Sequence, residues 1–344
     1  MDMTFETWEQ MPPDAELELL KMRKSLRKRN GKLILTSVVL VIAILFSSVQ
    51  FLIPALEKQY WDPTACTWLE NVPDMELTMS VYTELFGQGQ ILMPPEIRKT
   101  GFAAYSINAC FLEWESLNSL TDLSYRSAAL DKGQWRAEAN FWKEQQKAII
   151  YRNPDVMENE LVTERKEETK ALLKELPDYI QIQAAITFSR DLSMRDLRLF
   201  TSLVRNGCSP VDTNFIWAVL RSGEEGLSCG IRLTEYRSDR YNPQFWNDTA
   251  YPHLFPERYN WLAEDMEQHV LSMLRFADRQ VKQGTGLIPE WADENIYETR
   301  LSFMSENGVK AYGCYVIATP KALLEMLEES KVAHMDLGKA WIGV

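Results

Sequence analysis

Histidine is scarce in this chain, three in 344 residues, and His253, His269 and His334 stand far apart. A transition-metal site needs imidazole, thiolate or carboxylate ligands converging on one point, so the sequence offers no metal centre. Asp265 and His269 share a helix face at i,i+4, a spacing that reads as a surface hydrogen bond rather than half of a zinc site. Cysteine is also sparse, and no two of Cys66, Cys110, Cys208, Cys229 and Cys314 have the Cys-x-x-Cys spacing of a redox or zinc motif. Cys208 and Cys229, which flank a hairpin-like region, are the one candidate pair; otherwise the cysteines read as structural thiols. There is no Gly-rich phosphate loop, and no cofactor or catalytic residue is expected.

Positive charge is lacking over most of the chain. The formal net charge is −12, yet residues 1–32 carry seven bases (Lys21, Arg23, Lys24, Arg27, Lys28, Arg29, Lys32) against six acids. The deficit therefore lies almost wholly beyond residue 32, and so acidic a body argues against direct nucleic-acid binding, which needs a basic face.

Long apolar runs are absent except for one. Residues 33–53, LILTSVVLVIAILFSSVQFLI, hold no charge over 21 positions, enough at about 1.5 Å per residue to cross roughly 30 Å of hydrocarbon. The bases precede this segment closely, and Lys58 alone follows it, so the positive-inside bias places the N-terminus in the cytoplasm and residues from Tyr60 onward outside. A cleaved signal peptide would have an earlier, shorter hydrophobic region and a small-x-small site. The expectation is a single-pass protein of the cell membrane.

In the cytoplasmic tail, Asp14 caps a helix running through ELELLKMRKSLRKR toward the membrane. It reads as a charged membrane-proximal stop that brings its bases to lipid headgroups, or as a partner-binding helix presenting Leu17, Leu20 and Met22. Beyond the span, Met75–Leu85 alternates Leu77, Met79, Val81, Thr83 and Leu85, and Ala103–Phe111 repeats the pattern; both are predicted strands, separated by a Gly/Pro-containing connection, FGQGQILMPPE. Trp135–Trp142 supplies a third, and together they form a β-rich unit over residues 54–154. Residues 155–177 are dense in Glu and Lys and read as a solvated helical spacer ended by Pro177.

Residues 178–344 form the second unit. Tyr179–Ser189 alternates like a strand with one wet face. Ser193 and Asp196 open a helix, SMRDLRLFTSLV, that stops at Gly207. Strands follow at Asn214–Leu220 and Ser228–Tyr236, then a helix in which Tyr259, Leu262, Met266, Val270, Met273 and Ala277 recur at helical spacing. The chain closes with a strand at Lys310–Ile317, a helix capped by Thr319 with Pro320 in its first position, and a strand near Leu337–Gly343. The fold class expected is α+β.

Three stretches invite chemistry. Gly226-Leu-Ser-Cys-Gly230 matches the nucleophile-elbow pattern around Ser228, but a polar turn precedes it and an alternating strand follows, the reverse of the strand-to-helix context the motif needs. Ser25-Leu-Arg-Lys28 fits a Ser-x-x-Lys motif, but lies in the basic tail away from any cell-wall substrate. Residues 236–261, YRSDRYNPQFWNDTAYPHLFPERYNW, are rich in aromatics; Tyr241, Trp246, Tyr251 and Trp261 are candidate ligand-stacking residues, or else rings packing an irregular insertion.

The order of a basic tail, one anchor, MSVYTELF and TGFAAYSI, then QAAITFSRDLSMRDL, FIWAVL and YGCYVIATPKALLEML resembles the sigma factor regulator family of Firmicutes. These are membrane-bound anti-sigma factors whose N- and C-terminal regulator domains follow the anchor. The resemblance covers most of residues 20–344, and FSRDLSMRDL and IATPKALLEML carry it best; where such proteins tend to have Gly before the Thr-Pro cap, this chain has Ala318. It implies a non-enzymatic regulator that holds an extracytoplasmic-function sigma factor at the membrane, directly or through a companion membrane protein, until the exported part reports envelope stress. The rival expectation is a signal-anchored envelope protein that binds cell-wall or peptide material through the aromatic stretch and has no sigma partner.

Overall fold

The computed structural model describes residues 13–69, 71–114, 120–137, 159–207, 212–223, 229–234, 251–254, 262–285, 287 and 295–342. The chain divides into two compact units, Met1–Tyr60 and Trp61–Val344.

The first unit is helical. Helix α1, Pro13–Ser47, runs without a break from the basic segment into the apolar one. A π-helical turn, Ser48–Leu52, leads into α2, Ile53–Glu57; Pro54, which has no N–H to give back to the preceding turn, follows directly on the turn where the helical period widens. The stretch Leu17–Glu57 is one helix long and apolar enough to cross a membrane.

The second unit opens with α3, Asp74–Phe86. This corrects the strand expected over Met75–Leu85. The alternation is in the letters, with Glu76, Thr78 and Ser80 between Leu77, Met79 and Val81, but it does not divide a buried face from a wet one: Glu76, Thr78, Thr83 and Glu84 are buried along with Met75, Leu77, Met79, Val81, Tyr82, Leu85 and Phe86, and the Thr78 and Thr83 hydroxyls donate to the Asp74 and Met79 carbonyls at 2.9 and 2.7 Å. Asp74 and Glu76 in its first turn complement the helix dipole, and Asp74 also accepts hydrogen bonds from the Thr67 amide (2.8 Å) and hydroxyl (2.5 Å).

Four antiparallel strands follow in a meander: β1, Ile91–Gly101; β2, Ala104–Trp114; β3, Leu120–Asp131; and β4, Gln134–Ala137. Most of the stretch expected as a connection, ILMPPE, belongs to β1. Its two prolines are tolerated because β1 is an edge strand and its register with β2 shifts between Met93 and Glu96, where Pro94 and Pro95 sit. Strand β2 has the period-2 pattern expected of it, with Tyr105, Ile107, Ala109 and Phe111 buried. Of the strand expected over Trp135–Trp142, only its start in β4 lies within the described residues.

Helix α4, Asn159–Glu175, packs against the elements that end the chain. Leu173 is buried, the Lys166 ammonium donates to the Val332 carbonyl at 2.9 Å, and Lys170 pairs with Glu167 and Glu328 at 3.0 and 3.1 Å. Burial holds the Lys166 ammonium below its usual pKa, whereas hydrogen bonds to Glu167 and then Glu328 raise that of Lys170.

The remaining elements are β5, Ile180–Ser193; α5, Met194–Gly207; β6, Thr213–Leu220; β7, Cys229–Arg232; α6, Ala263–Lys282; α7, Ile296–Asn307; β8, Lys310–Ala318; α8, Pro320–Glu328; and β9, Val332–Ile342. The five strands form an antiparallel sheet in the order β7-β6-β8-β5-β9. In β5-α5-β6 the two strands run parallel with β8 between them, and in β8-α8-β9 they run parallel with β5 between them. Two split β-α-β units are thus interleaved in the manner of a ferredoxin-like sheet, with β7, α6 and α7 inserted between the halves.

Local signals explain both joints. At the first, the Ser193 hydroxyl accepts the Asp196 amide at 3.1 Å while bonding the Asp196 carboxylate, forming the expected cap. At the second, Thr319 Oγ1 accepts the Ala322 amide at 3.4 Å, with Pro320 in the first turn. On the α5 side of the sheet, Phe188, Phe200 and Phe215 meet edge to face. A second buried cluster gathers Ile216, Trp217, Val219, Tyr315 and Ile317, with Trp114 packed against it.

Candidate functional site

Two places in the molecule hold the residues on which function can turn. The first is the N-terminal part of α1, where Leu17, Leu20 and Met22 are 54%, 59% and 62% exposed, far more than an apolar side chain in a packed helix. Leu17 and Leu20 are three residues apart and share a face; Met22, about 200° further round from Leu20 at 100° per residue, lies on another.

The second is a buried polar cluster where α3, β6, β7 and α6 meet. Glu84, nearly inaccessible on α3, accepts at Oε1 from the Arg232 amide (3.3 Å) and stands 3.0 Å from His269 Nε2 on α6. Its Oε2 is 3.9 Å from the Arg232 guanidinium, which also reaches the Gln90 carbonyl. The Glu84 carbonyl accepts the Trp217 indole N–H at 2.8 Å. His269 Nδ1 is 2.8 Å from the His253 carbonyl. The two imidazole nitrogens thus face the His253 carbonyl and the Glu84 carboxylate, and the Arg232 guanidinium is the fixed positive charge beside that carboxylate.

This corrects the surface pair expected of Asp265 and His269. His269 is buried and reaches a carboxylate 185 positions away, while Asp265 accepts the Leu262 amide at 2.9 Å as an N-terminal cap and lies 3.7 Å from His253. Sequence reasoning missed Glu84 because reading α3 as a strand put that residue on a wet face. The helical spacing of Met266, Val270, Met273 and Ala277, one turn either side of His269, is the signal that would have placed the imidazole inward.

Of the candidate ligand-stacking residues, Tyr241, Trp246 and Trp261 lie outside the described residues. Tyr251 is buried, edge to face with Trp68 and Phe276 at 5.9 and 5.5 Å, and its hydroxyl accepts from Arg279 at 3.2 Å. In the elbow-like motif, Ser228 also lies outside the described residues, but Cys229 and Gly230 are in β7, paired with Leu220 and Val219. A Cβ on Gly230 would meet the Trp217 ring at 2.0 Å, so packing accounts for the glycine there.

Cys229 and Cys314 are buried free thiols, and burial pushes both up from the usual thiol pKa, which keeps them protonated and poor nucleophiles. Cys110 is raised by the same cause. Cys66 is exposed, and Cys208, its pairing with Cys229 included, lies outside the described residues. No group of three or more His, Cys, Asp or Glu among the described residues is arranged to hold a metal ion.

Fold and cluster together define a class: an α+β domain of interleaved split β-α-β units, in a chain with, among the described residues, one long apolar helix suited to single-pass membrane anchoring. Residues 173–339, from the end of α4 into β9, match the family model described as sigma factor regulator C-terminal, and over that region the chain is similar to sigma factor regulators. No curated protein and no solved structure matches the chain. The family so described is regulatory, and the match supports a sigma-factor regulatory role.

Proposed function

We propose that this protein is a membrane-anchored anti-sigma factor: it retains an extracytoplasmic-function sigma factor at the cytoplasmic face of the cell membrane and releases it when its exported part senses envelope stress. The observation that carries the reading is the sigma factor regulator match over residues 173–339 in a chain with one apolar helix of spanning length. Seven bases before the apolar segment and Lys58 alone soon after it support a cytoplasmic N-terminus and an exported body, which we divide into a meander unit over residues 54–154, a linking helix over 155–177 and the regulator domain over 178–344. The bases of α1 hold anionic headgroups close by, and the Leu17 and Leu20 face is left for the sigma factor or for a companion membrane protein that carries it.

Replacing Leu17 and Leu20 together by Asp tests the reading. A carboxylate buried in an apolar contact costs several kcal/mol or prevents docking. The expected outcome is release of the sigma factor and higher levels of its target transcripts, with the protein still in the membrane. Unchanged transcripts, with the membrane level preserved, would favour an envelope-binding protein without a sigma partner.

A further inference from the structure

We infer that α1 is also a homodimerisation element, in which two copies of this chain pair in parallel along a stripe of leucines that is distinct from the Leu17 and Leu20 face. Leu19, Leu26, Leu33 and Leu40 recur at seven-residue intervals along the continuous helix, and all four are exposed. With Met22, Arg29, Thr36 and Ala43 three residues after each, they occupy the a and d positions of four heptads, Arg29 being the one charged residue among them, a departure that costs stability. The seam ends where the π-helical turn Ser48–Leu52 changes the helical period, so it occupies the regular part of the helix and no more.

Three observations make a second copy the occupant. First, the flanking charges fit it: Glu18 falls at a g position and Arg23 at the following e position, so in a parallel pair Glu18 of one copy faces Arg23 of the other, twice by symmetry. Second, a membrane-spanning helix gives both copies the same orientation and confines them to two dimensions, which is the arrangement a heptad seam requires. Third, Leu19, Met22 and Leu26 precede the apolar segment, where lipid cannot cover them; pairing with an identical face buries them. Within the span, Thr36 and Ala43 are small enough for close approach, and the Thr36 hydroxyl is already satisfied by the Lys32 carbonyl at 2.8 Å. Taking Leu19 as the origin, Leu20 and Leu17 lie about 100° and 160° round the helix, so a dimer covers Met22 but leaves that pair open on each copy.

Single cysteines at Leu19, Leu26, Leu20 and Arg27 of the full-length chain, oxidised in native membranes, test the seam against wild type, which controls for the five native thiols. Leu19→Cys and Leu26→Cys should give severalfold more of a reducible species at twice the 39.9 kDa monomer than Leu20→Cys, Arg27→Cys or wild type. Equal yields at all four positions, or cross-linking to a different protein, would overturn the inference. In the Leu26→Cys background, Glu18→Arg and Arg23→Glu should each lower the yield and the double reversal restore it; a double variant no better than the singles overturns the parallel Glu18–Arg23 register. Both readouts stand whether or not a sigma factor is bound.

Discussion

Burying the Glu84 carboxylate is tolerable because the Arg232 amide and the His269 ring lie within hydrogen-bond distance of it and the Arg232 guanidinium stands 3.9 Å away as an ion-pair partner. Removing one member leaves the rest inadequately paired, and breaking a buried pair in this way costs about 3–5 kcal/mol. His269→Ala should therefore lower the unfolding free energy of the second unit, read from denaturant titration, by that order, with Glu84→Ala similar and the double variant costing much less than the sum of the two; a change below about 0.5 kcal/mol would show that the cluster is not a unit. The cysteines make a second residue-scale prediction that also reports topology. An impermeant maleimide added to intact protoplasts of a Cys208→Ala variant should label the exposed Cys66 and spare Cys229 and Cys314, whose buried thiols react only after denaturation. Labelling of Cys66 only after the membrane is breached would contradict an exported body. At this scale the sequence was legible where a side chain acts on its own neighbours: the caps at Ser193 and Thr319 were read from spacing alone. It was illegible where partners are remote, because nothing near Glu84 in the chain announces a histidine 185 residues later.

Among the elements, β7 shows how a short motif can mislead. The pattern from Gly226 to Gly230 has the letters of a nucleophile elbow, but its last glycine leaves room for the Trp217 ring and the Ala218 carbonyl, which a Cβ there would meet at 2.0 and 2.3 Å. Gly230→Ala should destabilise the fold by about 1–3 kcal/mol through overpacking, since neither the Trp217 ring nor the Ala218 carbonyl beside it has room to retreat; wild-type thermal stability in that variant would mean that the strand pair shifts freely. Strands with one wet face, such as β2, and amphipathic helices, such as α6, were readable because burial imposes a period on the chain. Helix α3 was not, since its enclosed positions include the polar Glu76, Thr78, Thr83 and Glu84, and polar letters at buried positions make the segment alternate like a half-buried strand. Helix α4 was recognised as a helix, but its contacts with α8 and β9 depend on single atoms, the Lys166 ammonium on the Val332 carbonyl among them, that composition does not reveal.

For the whole molecule, the interleaved order β7-β6-β8-β5-β9 and the single apolar helix give the two parts that a membrane-tethered regulator needs. The antiparallel order follows from joints that the sequence marked, whereas the insertion carrying α6 and α7 between β6 and β8 was only half visible, α7 having no signal strong enough to stand out. On the proposed reading a sigma factor either docks on α1 directly or arrives through a companion in the same membrane, and both routes leave a complex that survives gentle extraction. The decisive measurement is purification of the full-length protein from membranes in mild detergent, followed by identification of what comes with it. The account predicts a sigma factor, alone or together with a companion membrane protein, lost when Leu17 and Leu20 are replaced by Asp. A preparation that holds neither, with the membrane-bound protein intact, would contradict it.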